Sequence, residues 1–452
     1  MLPSFKYVTA YLLQNLSTES VAFDLDSRRQ VFMSLEGSAK QLSMLSFLSG
    51  FPLPELLKKR SLELRMAPAD DVAQKIIGEK RIPVLCKKGE PLPSRLVTME
   101  SNAVQIHFDL LGTIFYILIR AEEMLNPIRD EHGRFPAAAS HAYREGYLHR
   151  PVVDELVEIL WGCMKHLWPG LERQSREFRM KVTHDVDVPF NIAFIPPRQI
   201  LRSMGGDVIK RKNPKQAFLR GLNWASVKLG NNAQDPCYTF DFIMDVAEKD
   251  GLQDDFYFIP KNTHSFDGVY DLEHPRIRKL MKYISRRGHK IGYHGSYMTY
   301  QDPGKTKEEV AHLKKVARSL GIEQEEWGGR QHYLRWEAPT TWRNYAEAGL
   351  HYDTSLSYAD YAGFRCGTCH PFPVFDLEQN RELSLMEYPL IVMECSVLGE
   401  KYMGLPPDEA YDYMVQLKNT CRKYGGCFTL LWHNSYFAGD EEKRLYQEIV
   451  AQ

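Results

Sequence analysis

The chain has 452 residues, 44% of them hydrophobic and 25% charged, the balance of a folded globular protein rather than a disordered or fibrous one. Its 57 Lys and Arg stand against 58 Asp and Glu, a formal net charge of -1, so no global field draws it to nucleic acid or to an anionic membrane. The length exceeds what one hydrophobic core usually supports, and two domains are expected.

The opening Met-Leu-Pro-Ser-Phe-Lys has neither the basic segment nor the apolar stretch of a secretory leader. No run approaches the roughly 18 apolar residues that would span a bilayer. Residues 1–175 read as a mixed α/β domain of no nameable chemistry, with short strands at Ser20–Asp24 and Gln30–Ser34. The dense apolar stretch Leu110–Ile119 suits a buried helix, and a longer helix over Pro151–Trp168 ends at Pro169-Gly170. His132, in Asp-Glu-His-Gly-Arg-Phe-Pro, is expected to sit in a turn.

From about residue 176 short apolar runs alternate with helical patterns. The strands fall at Lys181–Thr183, Asp255–Ile259, a run ending at Tyr293, Gly328–Tyr333, Met386–Ile391 and Cys427–Trp432. The helices between them cover Pro275–Arg287, Lys305–Leu320, Thr340–Ala348 and Asp408–Tyr424. Such alternation predicts parallel β/α units, in a barrel or a doubly wound sheet, with reactive residues at the carboxyl ends of the strands. Residues 191–230 interrupt it with eight Lys or Arg against the single acid Asp207. They are either a solvated helical insertion or an electropositive rim that attracts a phosphate on the substrate.

Eight cysteines are scattered along the chain, and only Cys366 and Cys369 have C-x-x-C spacing, with no second pair to complete a zinc site. They are read as reduced thiols, which fits a cytoplasmic location.

Three strand ends carry candidate chemistry. Thr183-His184-Asp185-Val186-Asp187 places two carboxylates at i and i+2, on one side of an extended segment. His294 ends the strand before a Gly-Ser turn, and His433 ends Phe428–Trp432. Two Asp and two His delivered to one rim suggest a bound metal and a proton-transferring His. Tyr293, Tyr297, Tyr300, Trp336 and Trp432 lie beside these motifs, either as faces for a sugar ring or as core.

In this order the motifs resemble those of the polysaccharide deacetylases of carbohydrate esterase family 4, over residues 178–452. The first motif is similar to Thr183–Asp187 with one residue inserted between the acids, which implies Asp185 as general base and Asp187 as metal ligand. Gly288-His289-Lys290-Ile291-Gly292-Tyr293-His294 follows the lead-in to the family's His-x-x-x-His and gives His294 the first ligand position. The second falls on Met298, a soft thioether ill suited to the ions concerned, so His184, His264 or His332 would have to complete the shell. Arg330-Gln331-His332-Tyr333 resembles the family's Arg-x-Pro-Tyr, which implies Arg330 as the residue orienting the base, with Arg335 a rival. Leu431-Trp432-His433 resembles Leu-x-His, whose His protonates the leaving amine.

The resemblance thus implies a distorted (β/α) barrel over 176–452 and a divalent ion, zinc by preference. It implies a hydrolase removing acetyl from an N- or O-acetylated sugar, with Tyr297, Tyr333 and Trp432 against the substrate. A phosphate- or lipid-linked glycan precursor is among the substrates it allows. A silent carbohydrate-binding scaffold and a hydrolase of another C–N bond are the competing readings, the first resting on Met298.

Overall fold

The structure, a computed structural model, describes residues 3–16, 21–26, 30–46, 61–268, 270–437 and 439–451. Among them the first strands form two small sheets. Strands β1 (Val21–Leu25), β2 (Gln30–Leu35), β3 (Gln41–Leu45), β6 (Val97–Met99) and β7 (Ala103–Ile106) make one, in the order β1-β2-β3-β7-β6. A hairpin of β4 (Leu62–Pro68) and β5 (Arg81–Lys87) makes the other. Ser20, expected to open the first strand, lies outside the described residues. Helix Leu110–Leu118 is buried at every position, as its unbroken apolar composition requires, and Val152–Leu167 closes this part of the chain.

The later strands are β8 (Arg179–Val186), β9 (Asp255–Phe258), β10 (Lys290–Gly295), β11 (Gly328–Gln331), β12 (Tyr352–Asp353), β13 (Phe372–Asp376), β14 (Arg381–Glu387), β15 (Leu390–Met393) and β16 (Cys427–Leu431). They form one sheet in the order β13-β14-β12-β11-β10-β9-β8-β16-β15. All neighbours are parallel except β13 and β14. Helices such as Phe240–Lys249, Pro275–Arg286 and Pro303–Ser319 make the crossovers, and β9 and β16 are apolar runs buried throughout, as a sheet covered on both faces demands.

Neighbouring strands lie about 4.8 Å apart, so β8 and β11, three positions apart, would be about 14 Å apart in a flat sheet. Yet Arg330 of β11 hydrogen-bonds both Asp185 and Thr183 of β8, and Tyr352 of β12 donates to Asp255 of β9 at 2.7 Å. The sheet therefore curls, and one face is concave. It does not close: β13 and β15 are its edges, so the expected barrel is an open one.

The expected strand Met386–Ile391 belongs to two strands, β14 next to one edge of this sheet and β15 at the other edge. Pro389 has no N–H for a ladder and separates β14 from β15. No change of hydrophobic core accompanies the change of sheet near residue 175, because a single apolar cluster runs from Phe5 to Val450. Tyr7 and Phe115 pack on Phe375 of β13, with ring centroids at 5.2 and 5.3 Å. Residues 191–230 fold as two helices, Pro197–Ile209 and Pro214–Lys228, each opened by a proline at its first turn.

Candidate metal and catalytic site

Strand alternation decides which side chains of the first motif reach the concave face. Thr183, Asp185 and Asp187 point inward, whereas His184 points away and is held by Asp254 at 3.0 Å and the Trp432 carbonyl at 2.7 Å. Asp185 receives Arg330 Nη1 at 2.8 Å, while Nη2 of the same guanidinium donates to Thr183 Oγ1 at 2.9 Å and Nε to the Thr354 carbonyl at 3.0 Å. Burial would push the Asp185 carboxyl up, but Arg330 offsets this and holds it below the usual range. Asp185 is therefore an ionised, oriented acceptor.

Asp187 faces two imidazoles. Its Oδ1 lies 3.3 Å from His294 Nε2 and 3.6 Å from His332 Nε2, and the three ligand atoms are all within 4.8 Å of one another. His294 Nδ1 contacts the Arg330 carbonyl at 3.0 Å and His332 Nδ1 contacts Asp267 Oδ1 at 3.0 Å, so each ring, when neutral, donates from Nδ1 and turns an Nε2 lone pair to the cluster. Burial would lower the His332 pKa, but with no ion bound Asp187 and Asp267 more than offset it and raise it to about 9. Asp267 is itself fixed by the backbone N–H groups of Thr263, His264 and Tyr297. Two buried atoms in the cluster, Asp187 Oδ1 and His294 Nε2, make no hydrogen bond. Unpaired buried acceptors aimed at one point are costly unless a cation sits between them. One carboxylate and two imidazoles suit a divalent ion such as zinc, with a coordination position left over.

Met298, where the motif spacing puts the second His ligand, is 44% exposed and touches Arg335 rather than the cluster. The third corner belongs to His332. His264 stacks on Tyr297 with centroids at 4.6 Å and is not in the cluster.

His433 approaches from β16. Its Nε2 lies 3.7 Å from Asp187 Oδ2 and 4.0 Å from Asp185 Oδ2, and its Nδ1 is held by Glu394 Oε1 at 2.5 Å. Glu394 follows β15 and also accepts the His433 backbone N–H at 3.0 Å. Burial would lower the imidazole pKa, but the Glu394 carboxylate more than offsets it and His433 stays well above its ordinary value. Neither Glu394 nor Asp267 stands out in the sequence, because each acts on a histidine from a different strand end.

Aromatic rings roof the site. Tyr297 packs edge to face with Phe266 and His132, and Tyr333 lies tilted against the same two rings, with His132 Nδ1 3.0 Å from the Tyr297 hydroxyl. His132 is indeed in a turn, closed by Asp130, but that turn reaches the site: Arg335 Nε donates to its carbonyl at 2.7 Å and Arg134 to the Tyr333 carbonyl at 3.0 Å. Arg335 lies over the Tyr297 and Tyr300 rings at 3.9 and 4.2 Å, so it braces the roof and leaves Asp185 to Arg330. Tyr333 and Leu334 have φ of 60° and 53°, successive left-handed residues that turn the chain immediately after His332. Trp432, expected against the substrate, is fully buried on Phe437 and Tyr446 and offers no free face; strand alternation already opposes it to His433. Tyr293 and Trp336 are core residues as well. Cys366 and Cys369 are buried and free.

The model of a family described as of unknown function (DUF7033) matches residues 2–169, the stretch before β8. No curated protein matches the chain. Among solved structures, a Mycobacterium smegmatis protein assigned as a polysaccharide deacetylase covers 62% of this chain and 86% of its own, at 15% identity and a TM-score of 0.38. Puue allantoinase covers 63% and 85%, at 11% identity and a TM-score of 0.38. The Xyl-CE4 domain of a multidomain xylanase from the hindgut metagenome of Trinervitermes trinervoides covers 61% and 82%, at 9% identity and a TM-score of 0.30. Overlaps this partial leave the chemistry to be read from the site's own residues.

Proposed function

We propose that the chain is a metal-dependent hydrolase that removes an acetyl group from an N- or O-acetylated sugar. The observation that carries this is the pair of unpaired buried acceptors, Asp187 Oδ1 and His294 Nε2, facing His332 beside an arginine-held Asp185 and a carboxylate-held His433. Asp187, His294 and His332 would hold the ion, with zinc favoured by this donor set. A divalent ion supplies Lewis acidity toward an acyl oxygen and makes water a competent nucleophile near neutral pH.

Asp185 takes the proton of the attacking water, a task for which it must be ionised and aimed, and Arg330 and Thr183 do both. His433, kept protonated by Glu394, gives its proton to the departing amine or alcohol. Tyr333 and His132, both half-buried, offer ring edges for a pyranose, and Tyr297, buried beneath His264 and Arg335, braces them rather than meeting the sugar itself. The reading of a silent carbohydrate-binding scaffold rests on Met298 and loses its support when His332 takes the third corner.

Acetate release from acetylated chito- and xylo-oligosaccharides by the metal-loaded protein tests the proposal. Release above the buffer blank, abolished by Asp185→Asn, is expected. No acetate from protein carrying a full complement of metal would overturn it, and hydrolysis confined to cyclic amides would move the activity to another C–N bond.

A further inference from the structure

The helical insertion directly after Asp187 has an exposure pattern that hydrolysis does not require. Ile200, Asp207, Ala217 and Val227 turn inward, and the helices meet where the Met204 side chain packs on Gly221. Outward stand Leu201, Val208, Ile209, Phe218, Leu219, Leu222 and Leu229, between 48% and 90% exposed. They are half of the fourteen large hydrophobic side chains exposed among the described residues, gathered within one short hairpin. Apolar side chains at this density mark a surface that something covers.

The charges around them say what kind of surface it is. Arg198, Arg202, Lys210, Lys212 and Lys215 are exposed on the same hairpin. The segment's one acid, Asp207, is already paired with Arg211 and Arg220, at 2.5 and 2.6 Å. Beside the hairpin a groove of about 610 Å³ continues the pattern, lined by Lys228, Leu229, Lys279, Lys282, Tyr283 and Arg286 together with the lone acid Asp241. A second copy of the chain would set these cations against their own kind. Nucleic acid would leave the leucines and Phe218 with no partner.

The hairpin is also held firmly. Arg276 donates to the carbonyls of Val227 and Lys228 at 2.9 and 3.0 Å, Trp224 to that of Ile195 at 3.0 Å, and Lys228 to that of Ala193 at 2.7 Å. Because it leaves the sheet after β8, it rises from the carboxyl ends of the strands, the end that bears the metal and catalytic cluster.

We propose that the hairpin 197–228, with its adjoining basic groove, docks on an anionic lipid bilayer. Its apolar side chains enter the headgroup boundary and its Lys and Arg meet lipid phosphates. This is peripheral attachment, since no helix among the described residues is long and apolar enough to cross a membrane. It is independent of the hydrolytic reading, and it would place the strand-end site near substrates anchored at the membrane surface.

Flotation of the full chain with phosphatidylcholine vesicles, with and without phosphatidylglycerol, is the test. Binding at least about tenfold tighter to the anionic vesicles is expected, weakening as salt is raised. The triple change Leu201→Glu, Phe218→Glu and Leu222→Glu abolishes it, with the thermal midpoint of unfolding little changed. Should that variant fail to fold, Lys210→Gln, Lys212→Gln and Lys215→Gln together must still weaken binding on the order of a hundredfold, at about 1 kcal/mol for each cation removed. Partition that is absent or indifferent to lipid charge overturns the proposal. So does a wild-type dimer dissolved by the triple Glu change with no vesicle binding, which would give the surface to a second copy.

Discussion

Asp187, His294 and His332 at the mouth of the curled sheet can be set beside Asp154, Cys369 and His370, where helix Val152–Leu167 meets the loop before β13. Both trios bring metal-ligating side chains within 4.8 Å of one another. In the second, the Asp154 carboxylate, the Cys369 thiol and His370 Nε2 are already engaged. Asp154 accepts from Thr368 Oγ1 at 2.7 Å and from the backbone and thiol of Cys369 at 3.0 and 3.2 Å. Arg176 lies 2.9 Å from His370 Nε2, and burial pushes the Cys369 thiol well up, away from the thiolate a metal needs. In the first, acceptors are left without donors. Residue types alone do not separate the two clusters; the pattern of satisfied and unsatisfied atoms does.

The largest effect is expected at Asp185. Asp185→Asn should cut turnover by about 10²–10⁴-fold, the range of a lost general base, while metal content stays near that of the wild type. Loss of the metal in that variant would exchange the tasks given to Asp185 and Asp187. In the other cluster, Asp154→Ala leaves Thr368 and Cys369 without their acceptor in the interior. It should cost on the order of 3 kcal/mol in stability, read as a lower urea midpoint, with no change in metal content.

A smaller effect belongs to Glu394, a positioning residue for His433. A general acid must be protonated, so activity is present below the His433 pKa and falls as pH rises through it. Glu394→Gln removes the charge that raises this pKa, and the alkaline limb of the rate profile should move to lower pH. A limb that stays in place would separate His433 from proton transfer. The smallest effect is at the roof: His132→Ala should raise KM about three- to tenfold, the size of one aromatic contact, with kcat little changed.

Much of the site was legible because strand ends announce themselves. Asp185, Asp187, His294 and His433 lie at the ends of strand-like runs, Arg330 is marked only by its resemblance to Arg-x-Pro-Tyr, and the sheet brings them together. His332 was visible only as one of several candidates, because its partnership with His294 comes from parallel pairing, in which His294 stands opposite Arg330. Motif spacing along one strand pointed to Met298, and no local signal corrects that. Trp432 could have been set aside from alternation alone, being adjacent to an inward His433. Strand β12, two residues long, carries too little pattern to detect, and Pro389 within Met386–Ile391 was the overlooked sign of two strands. The reach of His132 into the site depends on how distant segments pack, which periodicity does not encode.

Metal content of the wild type, His332→Ala and Met298→Leu, purified in parallel and measured by elemental analysis, bears most directly on the central claim. About one divalent ion per chain is expected in the wild type and in Met298→Leu, and a large loss in His332→Ala. An ion retained without His332, or lost with Met298, would contradict the site described.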